Sequence, residues 1–99
     1  MVLSAEEMEK RLIDELTTYA KNRSESVNRG AETPYFAALL VQKYGLGLVQ
    51  ALAIATDNNR TTDSLMQHVD ASTLAVDPLY WEHDTQRCSL RPAGVLPNP

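Results

Sequence analysis

Cysteine is almost absent from this chain: Cys88 is the only one in 99 residues. A single cysteine cannot form an internal disulfide, and it cannot supply the several thiolates of a typical structural zinc site. The first ten residues, MVLSAEEMEK, also lack the apolar segment of a secretory signal, because charged residues begin at Glu6. These absences predict a protein of the cytoplasm, where thiols stay reduced.

The motifs of common enzymes are equally scarce. Gly45-Leu46-Gly47 lacks the third glycine and the preceding strand of a phosphate-binding loop. Cys88 follows His83 by five residues, a poor helical spacing for a nucleophile and its base. The chain is also too short for a doubly wound sheet or a barrel enzyme. We therefore predict that the protein is not an enzyme and uses no cofactor.

Positive charge is in deficit as well. Nine Lys and Arg stand against 13 Asp and Glu, which gives a formal net charge of −4. Binding to nucleic acid is driven largely by Lys and Arg that neutralise phosphates. The charge balance therefore predicts no direct binding of DNA or RNA.

What the sequence does contain is helical signals, beginning near the N-terminus. Ser4 and Glu7 have the spacing of a capping box. The helix is predicted to end between Arg23 and Asn28, before Gly30, which suits a left-handed stop. Its apolar residues recur at helical spacing at Met8, Leu12, Leu16, Tyr19 and Ala20.

A second, more apolar helix is predicted to begin with Thr33 as N-cap and Pro34 in the first turn. From there to Thr56, Lys43 is the only charged residue. A helix that is apolar on most sides is buried in a core, in an oligomer or in a membrane. A lysine at the centre of a membrane helix costs about 2.5–3.5 kcal/mol, whereas each Leu or Ile returns about 0.3–0.6 kcal/mol. We therefore predict no membrane span.

Two glycines within this segment leave its continuity open. Gly45 could end one helix, or the helix could continue and use Gly45 and Gly47 for close packing. We favour one long helix, although each glycine costs about 0.8–1.0 kcal/mol relative to alanine. Gly47, Ala51 and Ala55 then form a stripe of small residues that another helix could approach closely.

The remaining helices are signalled less strongly. A third is predicted to be capped by Thr61 or Thr62, with a possible interruption at residues 70–72. A fourth is predicted from the Asp77-Pro78 pair to about Arg87. The apolar face of the third helix consists of Leu65, Met66, Val69, Thr73 and Val76.

Together these elements predict an all-α fold. It is a small bundle of three to four helices with a long apolar central helix and an extended, Pro-rich C-terminal tail. Residues 1–88 would form a single helical domain, and residues 89–99, which hold three of the five prolines, would form an extended or disordered tail.

The second helix has more apolar surface than two modest amphipathic neighbours can cover, and an exposed remainder would be an interaction patch. The leading hypothesis is therefore a small acidic protein-interaction module, acting either as a homodimer or as an accessory subunit of a larger protein. The predicted interface residues are Phe36, Leu40, Tyr44, Gly47, Ala51, Ala55 and Trp81.

Two other classes of function remain open. His68 and His83, with nearby carboxylates, could form a metal site or a small active site, although nothing in their spacing requires one. Residues 39–56 could also be a helix-turn-helix with Gly45 at the turn. Its recognition helix would then present five apolar residues, which cannot read base edges.

Overall fold

The computed structural model describes residues 4–56 and 59–89, and these ranges contain helices and turns without strands. The helices are α1 (Ala5–Asn28), α2 (Pro34–Thr56), α3 (Asn59–Val76) and α4 (Tyr80–Ser89). Helices α1, α2 and α3 pack against one another in pairs, and α4 packs on α2. The predicted all-α bundle is confirmed. The predicted tail lies outside the described residues, except for Ser89, which ends α4.

Both ends of α1 follow the local signals of the sequence. The Glu7 backbone N–H donates to Ser4 Oγ at 3.1 Å, and the Ser4 N–H donates to Glu7 Oε1 at 3.2 Å. At the other end Gly30 has φ 77°, in the left-handed region that glycine enters without a steric penalty. The Gly30 N–H donates to the carbonyl of Val27. The capping box and the glycine stop are therefore confirmed.

Helix α2 begins as predicted and does not break. Thr33 Oγ1 accepts the backbone N–H of Phe36 at 3.2 Å, so Thr33 is the N-cap. The helix then runs through both Gly45 and Gly47 to Thr56. The favoured interpretation, one long helix, is confirmed. The helix-turn-helix alternative required a turn at Gly45, and α2 has none there.

The two glycines of α2 have different surroundings. A Cβ placed on Gly45 would lie 2.6 Å from Val69 Cγ1 and 2.7 Å from Val69 Cγ2 of α3. A Cβ on Gly47 would meet nothing within 4 Å. Gly45 is therefore the residue that lets α3 approach α2, whereas Gly47 has no packing role among residues 4–56 and 59–89.

The core lies where α1, α2 and α3 meet. Leu16 and Ala20 of α1 pack with Val41 of α2 and Val69 of α3. Each fully buried leucine or valine contributes about 1.5–3 kcal/mol relative to an exposed one. A polar pair is also buried in the bundle: the Thr73 hydroxyl donates to Gln42 Oε1 at 2.6 Å.

The boundaries of α3 and α4 differ from the prediction. Helix α3 begins at Asn59, before the predicted threonine caps, and it continues through residues 70–72 to Val76. The predicted interruption is wrong, because Val69 and Thr73 on either side are both fully buried and this packing holds the helix together. Asp77 does cap the last segment, since its Oδ1 accepts the Leu79 N–H at 3.1 Å, although α4 itself begins at Tyr80.

Candidate interaction surface

One side of α2 is left uncovered by the other helices, and we call it the outer face. Its members are three, four or seven residues apart and therefore share one side of the helix. Ile54 is 85% exposed and Phe36 is 48% exposed, although both are large and apolar. Leu40 is half-buried. The outer face consists of Phe36, Leu40, Lys43, Gly47, Gln50, Ala51 and Ile54.

The predicted interface residues lie in three places. Phe36, Leu40, Gly47 and Ala51 belong to the outer face, and Ala55 is exposed at its edge. Tyr44 is turned inward, with its ring stacked on Tyr19 of α1 at 4.3 Å between centroids. Trp81 is on α4, is 47% exposed and packs edge-on against Tyr80. The structure therefore brings together four of the seven predicted residues and places a fifth beside them.

Ile54 is the large apolar member of the outer face that the sequence interpretation missed. It is the most exposed of the large apolar side chains that the structure describes. It follows Gly47 by seven residues and Leu40 by 14, so it continues the series on the same side of the helix. That spacing was the signal that could have identified it.

A shallow apolar groove lies beside the C-terminal half of the outer face. It has a volume of about 260 Å³. Five of its six lining residues are apolar, and Arg11 is the exception. The groove is bounded by Met8, Arg11 and Leu12 of α1 and by Ala51, Leu52 and Ala55 of α2. It extends the apolar surface of α2 toward α1.

The charges next to the outer face lie on α1. Arg11 lines the groove and Tyr19 stacks on α2. Glu15 is four residues from each, so it lies on the same edge of α1, and its side chain is exposed. Lys43 is the only charged residue of the outer face. Neither Lys43 nor Glu15 forms an ion pair within residues 4–56 and 59–89.

A second cluster joins the start of α2 to α4. The Tyr35 hydroxyl donates to Asp84 Oδ1 at 2.7 Å, and the Tyr35 ring stacks on Tyr80 at 5.5 Å. His83 Nδ1 lies 2.7 Å from Oδ2 of the buried Asp77. Burial raises the pKa of the Tyr80 phenol, and the negative charge of Asp84 adds to the effect. These contacts fix α4 on the bundle.

The two histidines have separate intrachain partners. His68 Nδ1 lies 3.1 Å from the carbonyl oxygen of Ser64 on α3, while His83 is paired with Asp77. In the part of the chain that the structure describes, no three His, Cys, Asp or Glu residues form a group that could hold a metal ion. The metal alternative therefore has no assembled ligand set among these residues.

Helix α2 also has the length and the composition of a membrane-spanning helix. Its most apolar 18-residue window has a mean hydropathy of 1.5 and is one-third buried. A single helix of this kind is weak evidence for a membrane, because the core helix of a soluble protein has the same properties. The low burial does show how little of α2 is covered within the protomer.

Comparisons with known proteins found no relative of this chain. No family model matches it, and no curated protein or solved structure matches it either. The function is therefore inferred from the exposed surface itself.

Proposed function

We propose that this protein is a small helical interaction module of the cytoplasm that binds another protein chain through the outer face of α2. The observation that supports the proposal is the exposure of Ile54 and Phe36 on a helix with a single charged residue, Lys43. Leu40 and Ala51 lie on the same face between them, and apolar side chains exposed together on one face are a candidate interaction site.

Covering the exposed side chains of this surface would contribute favourably to association. Covering a large apolar side chain removes it from water and contributes about 1.5–3 kcal/mol. Ile54 and Phe36 are the two largest contributions, and Leu40 adds to them. The groove bounded by Leu12 and Leu52 offers further apolar surface to the same partner.

The partner is either a second copy of the chain or a larger protein to which this chain is an accessory subunit. Both would use the same face, since an apolar surface with small residues fits either one. An accessory role would make the activity that of the larger protein, and a homodimer would make self-association the direct role of α2.

The test compares two full-length variants that carry the same change of charge. Ile54→Glu places a carboxylate on the outer face, and Gln67→Glu places one at an exposed position of α3. Because both side chains are exposed, we expect both variants to keep the helical content and unfolding temperature of the wild type. Sedimentation velocity then measures self-association, and tagged protein added to native lysate measures capture of other chains.

We expect Ile54→Glu to lose whichever association the wild type shows and Gln67→Glu to retain it. The proposal is wrong if the wild type is monomeric at every concentration and if the wild type and both variants capture the same proteins from the lysate. That result would show that the outer face contacts no other chain.

A further inference from the structure

We infer that a segment of the chain itself, residues 95–99, runs back along α4 and covers the exposed side of Trp81. The inference goes beyond the proposed function, because it concerns α4 and not the outer face of α2. It is carried by the exposure of Trp81, by the length and composition of the chain that follows α4, and by the charges of the two segments.

Trp81 is half-open to solvent within residues 4–56 and 59–89. It is 47% exposed, although Tyr80 beside it is only 3% exposed and stacks on Tyr35 of α2. Asp84 lies three residues further along the same side of α4 as Trp81, and it accepts a hydrogen bond from the Tyr35 hydroxyl. The exposed part of Trp81 therefore lies beside the seam between α4 and α2, on a helix that these contacts hold in place.

The chain that follows α4 is long enough to return to Trp81. Trp81 precedes Ser89, the last residue of α4, by eight residues, which is about 12 Å along the helix axis. Arg91-Pro92-Ala93-Gly94 has proline and glycine at the positions that a type I turn favours, the second and the fourth. After such a turn, residues 95–99 advance about 15 Å in a polyproline conformation, which is enough to span the distance.

The composition of residues 95–99 suits an aromatic surface. Their sequence is Val-Leu-Pro-Asn-Pro, so their contact with Trp81 buries no charged side chain. Each proline has a fixed φ, so the segment loses less conformational entropy when it becomes ordered. Aromatic side chains that bind extended, Pro-rich segments are a recurring form of peptide recognition.

Charge and connectivity favour the segment of the same chain over other occupants. The charged residues of α4 are Glu82, Asp84 and Arg87, a net charge of −1, and Arg91 is the only charged residue among residues 90–99. A cation is also favourable beside the C-terminal end of a helix, where Arg91 lies in the sequence. A short covalent connection gives an effective concentration on the order of millimolar, which in dilute solution exceeds that of a second copy.

The fluorescence of Trp81 tests the contact in the full-length chain, because Trp81 is its only tryptophan. Leu96→Asp and Asn98→Asp make the same change of charge within residues 95–99, but only Leu96→Asp removes an apolar side chain. The wild type and both variants are compared by emission wavelength and by acrylamide quenching at several dilute concentrations. Circular dichroism shows whether all three have the same helical content.

We expect the emission of Leu96→Asp to shift to longer wavelength and its quenching to increase relative to the wild type. The reason is that a carboxylate placed against the indole would have to lose its hydration, so the segment leaves Trp81. We expect Asn98→Asp to retain the emission and the quenching of the wild type, because position 98 is already polar.

Three results would overturn the inference. Equal emission and quenching in the wild type and Leu96→Asp would show that the segment does not cover Trp81. Equal effects of the two variants would show a response to charge alone. Protection of Trp81 that is lost on dilution of the wild type would show that a second copy covers it. None of these results bears on the proposed function, whose test is the response to Ile54→Glu.

Discussion

Alanine at Gly45 and at Gly47 should change stability in opposite directions. At Gly47 the new methyl group meets open space, so the gain in helix propensity, about 0.8–1.0 kcal/mol, should be realised in full. At Gly45 the same gain is opposed by overpacking against both γ-methyl groups of Val69. Overpacking of a core costs about 1–3 kcal/mol. Because a valine in a helix has one strongly preferred rotamer and cannot turn away, we expect the overpacking cost to lie in the upper half of this range and the net loss to be about 1–2 kcal/mol.

Thermal unfolding followed by circular dichroism measures both effects. For a domain of this size, 1 kcal/mol corresponds to a shift of about 4–8 °C in the unfolding temperature. We therefore expect Gly45→Ala to unfold several degrees below the wild type and Gly47→Ala several degrees above it. The variants should be compared at protein concentrations so low that the unfolding temperature no longer depends on concentration, because self-association would add to the apparent stability.

A second substitution identifies the cause at Gly45. Val69→Ala removes both methyl groups that a Cβ would meet, so Gly45→Ala should cost much less in that background than in the wild type. The reasoning is refuted if Gly45→Ala and Gly47→Ala shift the unfolding temperature by the same amount. It is also refuted if Val69→Ala leaves the effect of Gly45→Ala unchanged.

Three further predictions concern polar contacts. Thr73→Val should destabilise the protein by about 1–3 kcal/mol in urea unfolding, because it removes the hydroxyl that donates to the buried Gln42 Oε1. Adding Gln42→Leu should recover most of this loss, because no buried polar group is then left without its partner. Hydrogen bonds from Ser4 lower the pKa of Glu7 in the folded protein. The wild type should therefore be more stable than Glu7→Gln at neutral pH. This difference in stability should vanish as the pH falls through the folded pKa of Glu7. The pKa of the Tyr80 phenol is raised in the folded protein, so the neutral phenol stabilises the fold. This stabilisation should be complete below the ordinary phenol pKa and lost as the pH rises through the folded pKa. Alkaline titration should therefore destabilise Tyr80→Phe less than the wild type.

Both ends of α1 and the start of α2 could be predicted from the sequence because their determinants are local. A capping box involves residues three apart, such as Ser4 and Glu7, and an N-cap threonine followed by proline, as at Thr33, needs no distant contact. Gly30 likewise ends its helix through its own backbone conformation. Such signals retain their meaning in any tertiary context.

The roles of the two glycines could not be separated in this way. Gly45 and Gly47 are two residues apart and look alike in the sequence, but only Gly45 faces Val69. Which of them is buried depends on where α3 packs. The same long-range packing explains why α3 continues through residues 70–72, where a local interpretation predicted a break.

The candidate surface was predicted in part. The scarcity of charge between Thr33 and Thr56 indicated that α2 would have more apolar surface than its neighbours cover, and the exposure of Phe36 and Ile54 shows such a surface. The inward position of Tyr44 could not be predicted, because it depends on stacking with Tyr19 of another helix. The Tyr35–Asp84 contact joins residues 49 positions apart, and no sequence pattern links them.

The central claim, that the outer face of α2 binds another protein chain, is tested most directly by comparing the wild type with Ile54→Glu in two assays, sedimentation velocity over a wide range of concentration and capture from native lysate. We expect the wild type to associate with a second copy or with another protein and Ile54→Glu to lose that association, because the contact would have to bury the new carboxylate. The variant should still be folded, since Ile54 is 85% exposed within the protomer. An Ile54→Glu variant that associates as well as the wild type, or a wild type that is monomeric and captures no protein, would contradict the claim.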